Sequence, residues 1–518
     1  MSKTNDEWMQ LISDKRLREL NEKEEKTKNE ESQYPYERDE AEKDYGRVLF
    51  STPFRRLADK TQVFPLEKND SVRTRLTHSC EVASLARNFG INIAEMLIKR
   101  LGDNLSYEEA KTYIRRIPAI LATIGLAHDI GNPPFGHQGE NAIRKWIKNN
   151  NVFNDDFLKG QSENNKDDFE EMKQDYLCFD GNAQTFRVIT RLQIRPDNCG
   201  LNLTCGTLAA IIKYAYSSLK CKEIEKNKFG YFYSEKDIVK KIWQETGLEE
   251  NRRHPLTYVM EACDDIAYCI IDLEDAVKKK IISFEDIISD IEKEKENNNN
   301  IKKIIKKSKE NDDEVIKLIA EATKKNEVYR KEKGLSSFEV NDLSIQRLRA
   351  FTIDRMVKSV LMTIENMPLN SPKEMSKKIN EDKNSVSLME KSTVSALCKI
   401  LKNIGKRRAY SYPSVIKTEL DGYIVITKLM DYLWYAITKR DDKPIKSERS
   451  DPFAGYVYNL ISENYRRVAE QDDDLPIRYK EVQLLVDMIS GMTDSYAVDL
   501  YHQLHELYMR YPTNDAKI

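Results

Sequence analysis

Apolar residues recur at spacings of three and four along most of the chain, a pattern typical of helices that bury one face. Val82, Leu85, Phe89, Ile93 and Met96 give one clear example. Few stretches alternate with the period of two that a half-buried strand requires. The sequence therefore predicts a mainly α-helical protein.

The run from Ile117 to Glu140 predicts the centre of the molecule. Its first part, IPAILATIGLA, is apolar on almost every face, so we expect a buried helix that begins at Pro118. The helix ends in His128 and Asp129, and the following GNPPFG loop cannot continue it. An imidazole and a carboxylate together suit a divalent cation.

Two further side chains are predicted to point inward and to complete a metal site. His78 falls in line with the apolar face that begins at Val82. Asp264 lies in TYVMEACDDIAYCIIDLED, an apolar helix in which a buried carboxylate needs a cation or a full set of hydrogen bonds. For each residue alone, a hydrogen-bonded core histidine or a capping or ion-paired carboxylate stays open. With His128 and Asp129, the set offers two nitrogens and two carboxylate oxygens, which predicts a divalent metal centre.

His137 and Glu140 form a second candidate pair. They lie three residues apart just after the loop, and they share a helical face if a helix restarts near Gly136. A carboxylate beside an imidazole fixes the tautomer of the ring and raises its basicity, as acid–base catalysis requires. A loop histidine with a minor structural role is the alternative.

Composition and charge exclude several classes of protein. The 518 residues include 84 basic and 86 acidic ones, so no global charge drives the chain onto nucleic acid or a membrane. The eight cysteines form no C-x-x-C pair and indicate reduced core thiols in a cytoplasmic protein. The N-terminus lacks the apolar core of a signal peptide, and no run of 18 uncharged apolar residues occurs. Phosphate-binding P-loop, dinucleotide-binding and nucleophile-elbow motifs are missing.

The distribution of charge predicts four segments along the chain. Residues 1–44 form a charged N-terminal extension, and residues 45–277 form a core that contains every candidate ligand. Residues 278–340 are rich in lysine and glutamate and poor in apolar residues, which predicts an insertion of exposed helices. Residues 341–518 contain further amphipathic helices and form a C-terminal region.

Several segments resemble the bacterial deoxyguanosine triphosphate triphosphohydrolases, the dGTPase-like family of the HD-domain metal-dependent phosphohydrolases. They are YGRVLFSTPFRRLADKTQVFPL, TRLTHSCEVA, GLAHDIGNPPFGHQGE, FDGNAQTFRVITRL and MEACDDIAYCIIDLEDA. With YSYPSVIKTELDGY and DMISGMTD, the resemblance extends from about Trp8 to beyond Met492. It implies an all-α fold, with an HD-domain helical core in residues 45–277 and an additional helical C-terminal lobe that completes the site and makes oligomer contacts.

The resemblance also implies a reaction and roles for individual residues. dGTP, or another dNTP, would be hydrolysed at the α-phosphate to a deoxynucleoside and inorganic triphosphate. The four candidate ligands would hold one Mn²⁺ or Mg²⁺ per subunit, with other transition metals as alternatives, and His137 and Glu140 would be catalytic. The implied substrate contacts are Gln62, Arg75, Asn182, Lys213, Tyr214, Lys228, Tyr268, Asp272 and Glu419. From the residues alone, helix capping by Asn182, a charge–dipole placement of Lys213 and core packing of Tyr268 stay open.

Partners and rival functions follow from the same resemblance. It implies a dNTP substrate, with dGTP preferred by analogy, and no membrane partner. It also implies a homo-oligomer, either a dimer or a higher-order assembly such as a hexamer, with a dNTP or single-stranded DNA as candidate effector. One rival is an HD phosphohydrolase that acts on a 5′-nucleotide, a cyclic nucleotide or an alarmone. The other is a non-catalytic regulator that binds nucleotides or single-stranded DNA.

Overall fold

The computed structural model describes residues 3–21, 37–67, 69–102, 105–153, 166–193, 198–224, 227–307, 311–380 and 387–510. Within these ranges the regular structure is helical, and extended backbone pairs only in two isolated bridges, Arg16 with Thr204 and Thr61 with Thr74. The prediction of an all-α fold is confirmed.

The helices differ widely in length, and the longest ones form the centre. In chain order they are α1 (Lys3–Leu11), α2 (Leu17–Asn21), α3 (Glu40–Leu49), α4 (Thr52–Arg56), α5 (Arg75–Leu101), α6 (Tyr107–Ala127), α7 (Gly136–Asn149), α8 (Lys166–Leu177), α9 (Gly181–Thr190), α10 (Cys205–Ile211), α11 (Lys220–Ile224), α12 (Lys236–Thr246), α13 (Pro255–Lys278), α14 (Phe284–Asn297), α15 (Asn299–Lys307), α16 (Asn311–Lys331), α17 (Ser337–Glu365), α18 (Pro372–Asn380), α19 (Leu388–Lys391), α20 (Ser395–Gly405), α21 (Pro413–Thr438), α22 (Pro452–Leu460), α23 (Glu463–Ala469), α24 (Ile477–Ser490) and α25 (Asp494–Arg510). Short 3-10 turns cover Leu57–Asp59 and Tyr233–Glu235, and a π-helical turn covers Lys406–Tyr410.

Helices α5 and α6 pack closely against each other, and α13 packs on both. Two glycines allow the close contact between α5 and α6. A Cβ atom on Gly90 would lie 2.6 Å from Cα of Pro118, and one on Gly125 would lie 2.8 Å from Cα of Ala83. Small residues at these positions therefore bring the two backbones together, and Gly125 does so one turn before His128.

The prediction that the buried helix begins at Pro118 is wrong, because α6 begins at Tyr107. Ser106 caps the helix: its hydroxyl accepts from the N–H of Glu109, whose carboxylate accepts from the N–H of Ser106. Pro118 lies inside the helix, where it cannot donate a backbone hydrogen bond. Its burial against Gly90 of α5 offsets that loss.

The N-terminal segment packs into the core, although the sequence predicted a charged extension over residues 1–44. Trp8 is fully buried, and its indole N–H donates to the carbonyl oxygen of Leu369 at 2.6 Å. Ile12 is fully buried as well, and α3 packs on α6. Residues 22–36 of the predicted extension lie outside the described residues. The division of the chain into four segments stays a prediction.

The later helices also share apolar faces with the centre. Helices α14 to α16, from the predicted insertion, pack against α17 and α20 and bury apolar side chains that include Ile287, Ile291, Val315 and Leu318. Helix α24 packs on α8, and helix α21 packs on α7, so the C-terminal helices reach the element that carries His137 and Glu140. In the described part of the chain, no helix combines the length and the apolar character that crossing a bilayer requires.

Candidate metal centre

His78 and His128 lie side by side because their helices are in close contact. His78 is in the first turn of α5, and His128 caps the C-terminus of α6. The ring centroids are 5.5 Å apart, with an interplanar angle of 68°. Nδ1 of His128 donates to the carbonyl oxygen of Gly125 at 2.8 Å, because a carbonyl oxygen can only accept. The lone pair on Nε2 of His128 is therefore free for a cation.

Asp129 and Asp264 bring carboxylate oxygens to the two imidazoles. Oδ1 of Asp264 lies 3.1 Å from Nε2 of His78 and 3.7 Å from Nε2 of His128. Oδ2 of Asp129 lies 3.7 Å from Nε2 of His128. The ligand atoms of His78, His128 and Asp129 all lie within 4.8 Å of one another. The structure thus brings together all four side chains that the sequence singled out.

Both carboxylates are held in the ionised form that a cation requires. Burial by itself raises the pKa of Asp129, but the neighbouring positive charge, chiefly that of the Arg75 guanidinium, outweighs it and lowers the pKa below its usual range. Burial of Asp264 is likewise outweighed by the hydrogen bond with His78 and by nearby positive charges, so its pKa is also lowered. Opposite charges that favour the anion dominate over desolvation here.

Two residues fix the orientation of Asp129. Nη1 of Arg75 donates to Oδ2 at 2.5 Å, and Nδ2 of Asn132 donates to Oδ1 at 2.5 Å. Gly136 lies next to this arginine with φ +52°, and a Cβ atom there would lie 2.7 Å from Nη2 of Arg75. Glycine is required at this position for both its backbone conformation and its space. Asn132 was missed in the sequence, although it lies in the GNPPFG turn directly after the ligand.

His137 and Glu140 form a hydrogen-bonded pair at the start of α7. This helix begins at Gly136, which meets the condition for the two side chains to share a helical face. Nδ1 of His137 donates to Oε2 of Glu140 at 3.1 Å, and the N–H of Gly181 donates to Oε1 at 2.9 Å. Burial would raise the pKa of Glu140, but the hydrogen bond from His137 and the charge of Lys228 lower it to about 2. A charged, buried carboxylate therefore holds the imidazole.

Lys228 and Asn182 meet at Asp180, the N-cap of α9. Nζ of Lys228 lies 3.3 Å from Oδ2 of Asp180, and the amide of Asn182 donates to Oδ1 at 2.7 Å. Asp180 also accepts from the backbone N–H of Asn182, so the aspartate caps the helix and the asparagine does not. Burial raises the pKa of Tyr214, and the positive charges of Lys213 and Lys228 oppose that shift.

Lys213 lies between two carboxylates of α13. Its Nζ is 3.8 Å from Oε1 of Glu261 and 3.9 Å from Oδ2 of Asp264. Burial opposes the charge on Lys213, but these carboxylates raise its pKa above the ordinary value. A cation beside the candidate ligand Asp264 provides charge complementary to phosphate.

Tyr268 and Asp272 lie one and two turns after Asp264 on α13, and both contact Tyr410. The rings of Tyr268 and Tyr410 stack with centroids 6.0 Å apart. The hydroxyl of Tyr410 donates to Oδ2 of Asp272. Burial raises the pKa of Asp272 to about 7, although this hydrogen bond favours the anion. Tyr410 ends the π-helical turn that precedes α21, so the C-terminal helices contribute to this side of the site.

Gln62 and Glu419 are the two remaining predicted substrate contacts. Oε1 of Gln62 is buried without a hydrogen-bond partner among the described residues. Oε2 of Glu419 accepts from the side chain of Gln138 at 3.4 Å, which brings α21 to α7 within one chain. Burial raises the pKa of Glu419 against this hydrogen bond and the charge of His137.

The residues present fit a divalent cation. Two imidazoles and two ionised carboxylates form a mixed nitrogen and oxygen donor set, which suits Mn²⁺ and other borderline or hard ions. Nδ1 of His78 and Nε of Arg75 are buried without partners among the described residues. The N–H at Nε of Arg75 is a donor, which an anionic ligand such as phosphate satisfies and a cation does not.

Comparisons with known proteins agree with this site. The family model described as HD domain matches residues 75–176, which include His78, His128 and Asp129. A deoxyguanosinetriphosphate triphosphohydrolase-like protein of Listeria monocytogenes is 37% identical over 510 residues, which cover 96% of this chain and 99% of the relative. A protein of the same description from Synechocystis is 31% identical over 522 residues, with coverage of 96% and 99%. A deoxyguanosinetriphosphate triphosphohydrolase of an Enterobacter species is 30% identical over 505 residues, with coverage of 89% and 93%. The chain therefore belongs to the deoxyguanosinetriphosphate triphosphohydrolase-like family of HD-domain phosphohydrolases.

Proposed function

We propose that this protein hydrolyses 2′-deoxynucleoside triphosphates, with dGTP preferred, to a deoxynucleoside and inorganic triphosphate. The observation that carries the proposal is the convergence of two imidazole nitrogens and two ionised carboxylates beside Arg75 and Lys213. The choice of substrate is supported by relatives named deoxyguanosinetriphosphate triphosphohydrolase.

His78, His128, Asp129 and Asp264 would hold one Mn²⁺ or Mg²⁺ ion, and their donor set also admits other transition metals. When bound, such an ion supplies Lewis-acid polarisation of a phosphate oxygen and a water of lowered pKa. Arg75 and Asn132 hold the two oxygens of Asp129, and the carbonyl oxygen of Gly125 fixes the tautomer of His128, which supports an ordered site.

The triphosphate would bind beside positively charged side chains. Arg75, Lys213 and Lys228 would supply positive charge, and Tyr214 would supply a hydroxyl. Arginine suits this role because its planar fork matches phosphate oxygens. His137, whose Nδ1 is held by Glu140, would give a proton to the departing 5′-oxygen, so that the deoxynucleoside leaves as a neutral alcohol.

The remaining predicted contacts would bind the nucleoside. The ring of Tyr268 would pack on the sugar where a 2′-hydroxyl would protrude, and Asp272 would accept a hydrogen bond from the 3′-hydroxyl. Gln62, Asn182 and Glu419 would complete the contacts. Tyr410 supports this arrangement because it stacks on Tyr268 and donates to Asp272.

Product analysis tests the proposal. The full chain would be incubated with each of the four dNTPs and with GTP in the presence of Mn²⁺, and the products would be separated by chromatography. We expect a deoxynucleoside and intact triphosphate from dNTPs, and no turnover after a chelator has removed the metal. Release of phosphate or pyrophosphate would instead indicate another HD phosphohydrolase. No turnover of any dNTP with several metals would indicate the binding regulator.

We also propose that the enzyme works in the cytoplasm as a homo-oligomer, a dimer or a higher assembly such as a hexamer, with a dNTP or single-stranded DNA as effector. One outer face of α21 supports an interface, because Ile416, Leu420 and Ile424 recur every four residues and are exposed. Light scattering coupled to size-exclusion chromatography, with and without nucleotide, would test the assembly.

A further inference from the structure

Lys60 is a buried lysine that the proposed reaction does not use. Its side chain is among the buried ones, and Nζ donates to the carbonyl oxygen of Asn132 at 2.6 Å and to that of Ser490 at 2.8 Å. The backbone of Lys60 makes a third contact, because its own carbonyl oxygen accepts from the N–H of Arg75 at 3.1 Å. Lys60 therefore joins the start of α5, the loop after α6 and the end of α24.

Two of these three partners are the residues that hold Asp129. Asn132 donates to Oδ1 of Asp129 and Arg75 donates to Oδ2, each at 2.5 Å. Each oxygen of this carboxylate is thus held by a residue that is itself bonded to Lys60. We infer that Lys60 is a positioning residue that fixes Asp129 in its metal-binding orientation. The inference rests on the proposed function, because it takes Asp129 as a ligand.

The chemistry of lysine suits this position. An ammonium group carries three donors on a long, flexible stem, so it can satisfy two carbonyl oxygens from separate segments at once. A buried ammonium group is costly to keep, and burial lowers the pKa of Lys60 to about 7 even though Asp494 and Asp129 oppose the shift. Arg75 and Arg56 act in the same direction as burial. The two carbonyl contacts suit a residue that holds separate backbone segments together.

Asp494 also contacts the loop between α6 and α7. It is the first residue of α25, and Oδ1 accepts from the N–H of Phe135 at 3.0 Å. Oδ2 accepts from the N–H of Thr61, next to Lys60, also at 3.0 Å. Phe135 has a left-handed backbone conformation, with φ 58°, which is uncommon for a residue other than glycine and needs surrounding contacts to persist. The junction of α24 and α25 therefore contacts the loop between α6 and α7 through both Lys60 and Asp494.

The test compares Lys60→Met with Lys480→Met in the full chain. Lys480 is a mostly buried lysine of α24 that also donates to a backbone carbonyl, that of Gln471, and to Asp473. For Lys60→Met we expect Mn²⁺ affinity, measured by titration calorimetry on metal-free protein, and kcat each to fall by about 10- to 100-fold. The dNTP KM should change less, because no substrate contact is removed. For Lys480→Met we expect unchanged Mn²⁺ affinity and kcat, whatever the melting temperature does.

A double-mutant cycle with Asn132→Ala separates positioning from general loss of structure. Lys60 and Asn132 act on the same carboxylate, so the loss in the double variant should be smaller than the product of the two single losses. Losses that multiply, or a Lys60→Met protein with Mn²⁺ affinity and kcat within about twofold of wild type, would overturn the inference. Lys60→Gln takes the same measurements if the methionine variant does not fold. A wild-type chain that fails to bind Mn²⁺ would overturn the proposed function as well.

Discussion

Glu140 holds His137 from a buried position: the carboxylate is 4% exposed, whereas the imidazole that donates to it at 3.1 Å is 85% exposed. The N–H of Gly181 donates to the other oxygen of Glu140, so the carboxylate cannot rotate freely. An imidazole that is fixed at Nδ1 and open at Nε2 is ready to exchange a proton with a ligand at the surface of the site.

His137→Ala should lower kcat by about 100-fold or more, the usual contribution of a positioned general acid. Mn²⁺ affinity should stay unchanged, because His137 is not among the candidate ligands. Steady-state kinetics and calorimetry check the two expectations separately. His502→Ala, at an exposed histidine of α25, is the matched control and should leave both values at the wild-type level. Loss of Mn²⁺ binding in His137→Ala would place this residue at the metal instead.

The lowered pKa of Glu140 predicts a dependence of stability on pH. The folded protein holds this carboxyl at a pKa of about 2, below the ordinary value of 4.5. Its contribution to the free energy of unfolding is therefore fully present above the ordinary pKa and is lost as pH falls towards about 2. The free energy of unfolding, measured with urea, should fall less between about pH 6 and about pH 3 for Glu140→Gln than for wild type. Equal losses would mean that Glu140 is not held as an anion.

Asp264→Asn should abolish most turnover, because it removes one of the charged oxygens beside both imidazoles. Loss of a metal contact worth several kcal/mol lowers kcat by about 100-fold or more. Asp265→Asn is the matched control, because Asp265 is the next residue of α13 but pairs with Lys402 at 2.6 Å. A kinetic comparison of the two variants, with folding checked by circular dichroism, should separate them. Similar losses in both would point to damage to α13.

Arg75→Lys should not preserve activity, although it keeps the charge. Arginine donates from Nη1 to Asp129 and has further N–H groups available for phosphate, whereas lysine is a point charge that cannot serve both. We expect kcat/KM for dGTP to fall by about 10-fold or more, the loss of a charge-assisted hydrogen bond. Arg55→Lys, at an exposed arginine of α4, should leave kcat/KM unchanged. Full activity of Arg75→Lys would mean that the planar guanidinium group is not needed for the reaction.

The helical pattern predicts several residues of the site, because a polar residue that faces inward interrupts an apolar helix face and can be recognised in the sequence. His78 and Asp264 were singled out in this way, and the structure places both beside His128. The spacing of His137 and Glu140 predicts a pair only if a helix starts near Gly136, and α7 does start there. Local periodicity fixes which face a residue occupies, and the burial of that face then brings separate helices together.

Contacts that depend on folding over long sequence separations were not visible in the sequence. Lys60 bonds to Ser490, and Thr61 to Asp494, across more than 400 residues. Neither a lysine in a short connection nor an aspartate at the start of a helix has a local signal that distinguishes a buried contact from a solvated charge. The start of α6 was missed for a different reason: Pro118 normally marks a first turn, but the capping box at Ser106 begins this helix earlier.

The stacked pair of Tyr268 and Tyr410 gives a prediction about sugar selection. In the proposed complex the ring of Tyr268 occupies the space that a 2′-hydroxyl would need, and the stack on Tyr410, at 6.0 Å between centroids, holds it there. Tyr268→Ala should therefore lower the ratio of kcat/KM for dGTP to that for GTP by about 10-fold or more, as expected for a steric filter against one hydroxyl group. Tyr268→Phe keeps the ring and should keep the ratio. Competition assays with both nucleotides in one mixture measure the ratio directly. If Tyr268→Phe behaves like Tyr268→Ala, the phenol hydroxyl and not the ring selects the sugar. If Tyr268→Ala still rejects GTP, another residue selects against the 2′-hydroxyl.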